Sequence, residues 1–303
     1  MKSSLVQFAM QALGARVRAM TGSTGNFDDF TLPKGDRGLF GPESVTWRVH
    51  ANFTAMMVGG LSSLVVQSLH PRALAAVWDH SDFRHKLKER LGRTAYFVAA
   101  TTYGSEAMAL HAIQRVNTIH ANIRGIDLHG VPYIANEPAL IRWVHVAEVS
   151  SFLNAYQHLA KQALTPSECD QYINEMRQVG HLLGAIDLPM TWQATQDALL
   201  GYRSDLRFDA RAREILRVVE NYPTELIDRP FMTLTLQAAW DVMPAWVLQS
   251  IEKQPACTLQ THATRLALQV AAEPIQWMLD QQGVCALARQ RVDGARRGLL
   301  QMA

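Results

Sequence analysis

Apolar residues recur every three to four positions along most of the chain, a spacing that places them on one face of an α-helix. Two such runs follow each other directly, "DFRHKLKERLGRTAYFVAATTYG" and "EAMALHAIQRVNTIHANIR". Ser81 and Ser105 are their candidate N-caps, and Gly104 and Gly125 are their candidate stops. The pattern predicts two consecutive helices of about 20 residues each.

The second half of the chain shows the same helical pattern, and its helix boundaries are clearer. One helix is predicted to begin near Glu137-Pro138. In "TPSE", Thr165 is the predicted cap, proline takes the first helical position and Glu168 completes a capping box. Later segments with helical spacing begin near Thr191, Asp209, Pro230, Thr261 and Pro274. Strand signals are nearly absent, because β-branched and aromatic residues do not alternate at period two.

These elements predict an all-α protein with a single helical domain over residues 41–303. Residues 1–40 are predicted to form an N-terminal arm that begins with a short amphipathic helix. The rest of the arm, "TGSTGNFDDFTLPKGDRG", is polar and Gly-rich, so we expect it to wrap the surface or to serve a partner subunit. No internal repeat, low-complexity tract or long linker divides the remainder.

One stretch without formal charge extends between Arg48 and Arg72 and includes "FTAMMVGGLSSLVVQSL". It is almost long enough to span a bilayer, which takes about 20 apolar residues. Gly59, Gly60, Ser62, Ser63 and Gln67 interrupt it, so a buried core helix is the better prediction. The small residues either give a cofactor or substrate room or allow a close crossing of two helices.

The composition excludes several classes of protein. Hydrophobic residues make up 48% and charged residues 18%, which is typical of a globular chain, and the net charge of +2 gives no basic stripe for nucleic acid. The three cysteines are far apart, which argues against a disulfide framework and favours a reducing, cytoplasmic location. Loose membrane association of the N-terminal helix is a minor alternative, firm insertion is not predicted, and a homo-oligomer is compatible with the sequence.

Histidine is unevenly distributed, since nine of the 11 histidines lie between His50 and His158. His120 follows Ile113 and Val116 at helical spacing, and Ile123 continues the same face. A buried imidazole tends to be neutral, the form that ligates metals. His120 is therefore either a core histidine bonded to a backbone carbonyl or a metal ligand.

His145 lies on a similar apolar stripe, so spacing alone does not choose between the two histidines. Zinc motifs of the H-E-x-x-H type, di-iron E-x-x-H pairs, phosphate-binding loops and a G-x-S-x-G elbow are all missing from the sequence.

A second group of polar residues lies in "ERLGRTAYF", where Arg90 and Thr94 are four residues apart and Arg93 lies beside them. Exposed arginines commonly pair with surface carboxylates for little gain in stability. If the helix is buried from Thr94 onward, an arginine instead lies at the mouth of an apolar pocket and needs an anionic partner. Both interpretations remain open from spacing.

Several stretches occur together in the order and approximate spacing of a known family. They are "LFGPESVTWRVHANFTAMMVGGLSSLVVQSLHPRALAAVWDHSDF", "RLGRTAYFVAATTYGS", "QRVNTIHANIRG", "YIANEPALIRWVHVAEVSSFLNAYQ" and "GAIDLP". The chain resembles the bacterial branch of the latex-clearing protein (rubber oxygenase) and MpaB-type oxygenase family, mainly over residues 39–189.

The resemblance implies an all-helical domain with a globin-like core that holds b-type haem, with a histidine as the proximal iron ligand. His120 matches that ligand and His145 is the reserve candidate, while Arg90 and Thr94 match a functional R-x-x-x-T pair. The rubber enzymes carry a distal lysine directly before the threonine, where this chain has Arg93. Arginine does not readily lose its proton, so a lysine-type distal cap is not expected here.

The implied function is that of a haem-dependent oxygenase that uses dioxygen on a small apolar substrate, such as an alkene, isoprenoid or lipid-like molecule. Arg90 or Arg93 would stabilise negative charge or hold a haem propionate, Thr94 would donate a hydrogen bond, and Glu148 is a candidate partner for the ligand's second ring nitrogen. One alternative is a non-haem metalloenzyme. A non-catalytic protein that binds haem or lipid is another. Candidate ligands for the metalloenzyme are His70, His80, Asp79 and Asp82.

Overall fold

The computed structural model describes residues 2–22 and 27–300, and that part of the chain is almost entirely helical. The α-helices are α1 Lys2–Thr21, α2 Val45–His50, α3 Phe53–Ser68, α4 Pro71–His80, α5 Phe83–Tyr103, α6 Glu106–His120, α7 Pro138–Leu159, α8 Pro166–Leu182, α9 Trp192–Gly201, α10 Ala210–Glu220, α11 Arg229–Asp241, α12 Ala245–Ser250, α13 Thr258–Gln282 and α14 Val284–Leu300. Short 3₁₀ helices span Asp28–Thr31, Tyr202–Ser204 and Leu226–Asp228. Two strands, β1 Arg124–Ile126 and β2 Pro132–Ile134, pair antiparallel. The predicted all-α fold is confirmed, whereas the globin-like core and the division at residue 40 stay predictions.

The centre of the fold is the pair α3 and α7, which cross in close contact. Most of both helices is buried, and α3 also packs against α10, α11 and α13. Trp143 donates from its indole to the Gln67 carbonyl at 3.2 Å, and the Gln67 amide donates to the Val144 carbonyl at 3.2 Å. The prediction that the uncharged stretch forms a buried core helix is therefore confirmed.

Two neighbouring glycines of α3 have different surroundings. A Cβ on Gly59 would lie 2.7 Å from Cδ1 and 2.9 Å from Cα of Phe152, so Gly59 is required by the close crossing with α7. A Cβ on Gly60 would have Phe152 Cε1 at 4.0 Å as its nearest neighbour. Gly59 therefore allows the predicted close crossing of two helices, whereas Gly60 leaves the free room that was the other prediction.

We expect Gly59→Ala to lower the free energy of unfolding by about 1–3 kcal/mol, because the Phe152 backbone must move to admit the methyl group. Gly60→Ala is the matched control. It adds the same atom one residue away without a clash, and alanine stabilises a helix interior by roughly 0.5–1 kcal/mol relative to glycine. Urea denaturation measures both variants. Equal stabilities for the two variants would contradict the close crossing.

Local capping signals were predicted correctly at several helix starts. The Ser105 hydroxyl accepts from the Met108 amide at 3.2 Å, and Gly104 ends α5 as expected. Thr165 and Glu168 form the predicted capping box, with bonds of 3.3 Å and 2.8 Å. The side chains of Thr191 and Asp209 also cap their helices. These contacts span only three residues, so sequence alone defines them.

Three predicted boundaries were wrong. Ser81 has extended backbone at the end of α4 and accepts a hydrogen bond from Arg90, so α5 begins at Phe83 without a side-chain cap. Helix α6 ends at His120 rather than at Gly125, because Gly125 pairs with Tyr133 in the two-stranded sheet.

Pro274 was expected to begin a helix, but it lies inside α13, which starts at Thr258. The helix buries Leu268 and Ala272 before the proline and Ile275 and Met278 after it. This packing stabilises a continuous helix against the cost of the proline, because tertiary contacts supply most of the stability of helices in proteins.

Helix α1 packs against α5 and α13, and its Met20 is buried together with Phe53 and Ile275. Among the described residues, no single helix is long and apolar enough to cross a membrane. Helices α3 and α4 pass that test of length and composition only as a pair that bends by 105°.

Candidate functional site

A cavity of about 580 Å³ lies between α1, α3, α5, α7, α13 and α14. Its volume falls in the ~300–1,000 Å³ range of small-molecule and cofactor sites. The wall is mainly apolar and includes Phe53, Met56, Leu61, Leu64, Phe152 and Met278. Gly60 also lines it, which explains why the side of α3 that carries this glycine is not packed. The cavity can accommodate an apolar molecule against its wall.

Three arginines line this cavity, Arg18 on α1, Arg90 on α5 and Arg289 on α14. Burial and the charge of Arg93 lower the pKa of Arg90 to about 10, so Arg90 remains protonated at neutral pH. Arg90 donates to the Ser81 hydroxyl at 3.0 Å. Since a guanidinium has five N–H donors, it can also bind an anionic group in the cavity.

The predicted R-x-x-x-T pair is brought to the cavity, since Arg90 and Thr94 both line it. The Thr94 hydroxyl donates to the Arg90 carbonyl at 3.3 Å. Arg93 is exposed and does not line the cavity, although its charge acts on Arg90. Of the two arginines predicted for the site, the structure therefore brings only Arg90 to the wall.

His120 is the last residue of α6 and is half-buried beside Arg90. Burial and the Arg90 charge lower its pKa, so the imidazole is neutral. Its Nδ1 is buried and has no hydrogen-bond partner within the part of the chain that the structure describes. His120 does not itself line the cavity. A neutral imidazole with an unused nitrogen thus lies behind the arginine of the cavity wall.

His145 is buried in α7, in surroundings unlike those of His120. A Cβ on Gly180 would lie 3.0 Å from its Nε2, so the ring packs directly against α8. Burial and the charge of His181 lower the pKa of His145 to about 4. The residue does not line the cavity. The structure does not bring the two predicted histidines together.

His50 also lines the cavity, although no motif or spacing singles it out. Its Nδ1 lies 2.7 Å from the Thr102 hydroxyl and its Nε2 lies 3.1 Å from the Tyr172 hydroxyl. Burial lowers its pKa to about 3, so the ring is neutral. Only its place in the histidine-rich third of the chain pointed to it, because its partners lie 52 and 122 residues away.

Glu148 also lines the cavity, one helical turn before Phe152 on α7. Burial raises its pKa to about 7. Glu148 was predicted as a partner for the ring nitrogen of the haem ligand, but no hydrogen bond joins it to His120 among the described residues. The structure gives it a different position, as a carboxyl group in the cavity wall.

The residues considered for a non-haem metal site do not converge. Asp79 accepts from the Tyr133 hydroxyl at 2.7 Å, Asp82 contacts His85 at 2.6 Å, and His80 lies 3.2 Å from the Arg124 carbonyl. The ring of His70 packs on Trp143. No group of three or more histidine, cysteine or acidic residues suited to a metal ion occurs in the described ranges, 2–22 and 27–300.

Comparison with known protein families shows which family this helical chain belongs to. Residues 47–277 match the family described as "ER-bound oxygenase mpaB/B'/Rubber oxygenase, catalytic domain". The chain belongs to this family. No curated protein and no solved structure matches it. The oxygenase-family match includes the cavity residues of α2, α3, α5 and α7. The cavity walls contributed by α1 and α14, with Arg18 and Arg289, lie outside the matched range.

Proposed function

We propose that the protein is a b-type haem-dependent oxygenase that acts with dioxygen on an apolar alkene, isoprenoid or lipid-like substrate. The observation that carries the proposal is the cavity of about 580 Å³, whose wall is apolar except for a few polar groups and includes Arg90 and Thr94. It lies within a chain that belongs to an oxygenase family. A mainly apolar cavity of this size suits a substrate without charge.

The residues of the cavity, together with His120 behind Arg90, fit a b-type haem in three respects. The volume and apolar walls suit a porphyrin, and arginines at the wall suit its propionate groups. The third respect is a neutral imidazole with an unused ring nitrogen, which His120 provides beside Arg90. His50 is the histidine in the wall, but both of its ring nitrogens already contact hydroxyl groups.

In this proposal His120 would hold the iron, and Arg90 would bind a propionate or other anionic group. When bound, the haem supplies the binding and activation of dioxygen. The protein's own side chains position the bound molecules and provide the polar groups around them. Arg90 keeps its positive charge, and its bond to Ser81 fixes the guanidinium at the wall. The apolar side chains of α3 and α7 bind the substrate.

The proposal is tested with protein purified from cells that are supplied with a haem precursor. We expect a Soret band that corresponds to about one haem per chain, and oxygen uptake when an apolar alkene is added. Boiled protein and free haem at the same concentration are the controls. Haem without oxygen uptake for any alkene would favour a haem carrier, and protein without haem after adequate supply would contradict the proposal.

A further inference from the structure

Two carboxyl groups line the cavity, Asp280 on α13, which accepts from the Gln276 amide at 2.7 Å, and Glu148 on α7. Glu148 extends from α7 on the same helix face as Phe152, which lines the cavity one turn later. Glu148 is half-buried where it faces the cavity, and no hydrogen bond joins it to any residue that the structure describes. A carboxyl group that is held away from bulk water without a partner destabilises the protein, unless a ligand or a water molecule forms hydrogen bonds with it.

The polar neighbours of Glu148 are already occupied. Tyr172 on α8 lies close enough for the Glu148 charge to raise its pKa, and its hydroxyl contacts His50 Nε2 at 3.1 Å. His50 contacts Thr102 through Nδ1 at 2.7 Å. Glu148 is therefore the polar group at this place in the wall that keeps its hydrogen-bonding capacity for a molecule in the cavity.

Charge defines the kind of group that Glu148 can bind. Burial raises its pKa to about 7, and no ion pair joins its carboxyl group to any of the three cavity arginines in the described structure. A ligand anion would bind at those arginines rather than at a carboxyl group, and the same arginines disfavour a ligand cation. A neutral carboxyl group both donates and accepts, which matches a hydroxyl group.

We propose that Glu148 binds a hydroxyl group, and that the ligand of this cavity is an apolar chain that carries one such neutral group. The inference rests on the proposed function in that it assigns the substrate to the same cavity. It narrows the substrate class from pure hydrocarbons to molecules such as long-chain or prenyl alcohols. The apolar walls hold the chain, and Glu148 determines which end of it enters first.

Matched probes test this assignment by isothermal titration calorimetry on the full chain, at the haem content that the Soret band reports. The probes are 1-decanol and its methyl ether, which share a chain but differ in the O–H donor. We expect wild type to bind the alcohol about fivefold more tightly, the equivalent of one neutral hydrogen bond. In Glu148→Leu this preference is expected to disappear while binding of the ether persists, and in Glu148→Gln it is expected to remain.

Leucine removes an unpartnered carboxyl group, so Glu148→Leu is expected to fold at least as well as wild type, which thermal unfolding checks. Equal affinities of wild type for alcohol and ether would overturn the inference, and so would an unchanged preference in Glu148→Leu. A haem-free protein that still prefers the alcohol would refute the proposed function but not this inference. A haem-loaded protein without the preference would contradict this inference but leave the proposed function standing.

Discussion

Replacing His120 by alanine is expected to lower the haem affinity of the purified protein by roughly tenfold or more, because the variant lacks the imidazole that we assign to the iron. The Soret band relative to the protein absorbance at equal haem supply measures the effect. The side chain is half-buried at the end of α6, so alanine should leave the fold intact. Far-ultraviolet circular dichroism checks this, since the protein is almost entirely helical.

Two variants serve as controls for the ligand assignment. His145→Gln changes the reserve candidate, which packs against Gly180 away from the cavity, and it should retain the Soret band. His50→Gln keeps a hydrogen-bonding side chain between Thr102 and Tyr172 in the cavity wall, and it should also retain the band. Loss of the band in either control but not in His120→Ala would show that the assignment is wrong, although haem binding itself would stand.

The simpler interpretation of His120 does not account for its surroundings. A core histidine is expected to bond through its ring to a backbone carbonyl, yet Nδ1 is buried without a partner among the described residues. The helical spacing predicts an imidazole that is turned inward, and the buried Nδ1 is consistent with that orientation. Spacing could not show that α6 ends at this residue or that Arg90 lies beside it.

Features of the fold were predictable where their causes lie within a few residues. The caps at Ser105 and Thr165 depend on hydrogen bonds that span three residues, and the core helix α3 follows from its lack of charge. The boundaries at Ser81 and Gly125 depend on Arg90 and Tyr133, which lie nine and eight residues further along the chain. Such contacts exist only after the chain has folded, so local patterns could not reveal them.

The candidate site was predictable only in part, for the same reason. Arg90 and Thr94 were found because one helix carries both at a recognisable spacing. His50 and Glu148 come from helices far apart in the sequence, and the wall also needs Arg289 from α14. The hydrophobic pattern predicts that a helix buries one face, but it does not predict which faces leave a cavity between them.

Replacing Arg291 by methionine is expected to lower the free energy of unfolding by roughly 3–5 kcal/mol, the range for disrupting a buried network that contains a charge. The Arg291 side chain is 0% exposed. It donates to the carbonyls of Asp36 at 2.9 Å, Phe30 at 2.9 Å and Gly104 at 3.1 Å. Methionine keeps most of the bulk but leaves three carbonyls without their donor, two of them buried. These bonds of Arg291 join α14 to the N-terminal segment and to the end of α5.

Urea denaturation of Arg291→Met, with Arg291→Lys and Arg213→Met for comparison, measures this contribution. Lysine restores the charge but not the planar guanidinium that reaches three carbonyls. The free energy of unfolding of Arg291→Lys should therefore lie between those of wild type and Arg291→Met. Arg213 pairs with Glu252 at the surface, where both side chains are at least half exposed, so its variant should change stability by roughly 0.5 kcal/mol or less. A similarly small change for Arg291→Met would mean that water satisfies the three carbonyls, and that packing alone holds α14 in place.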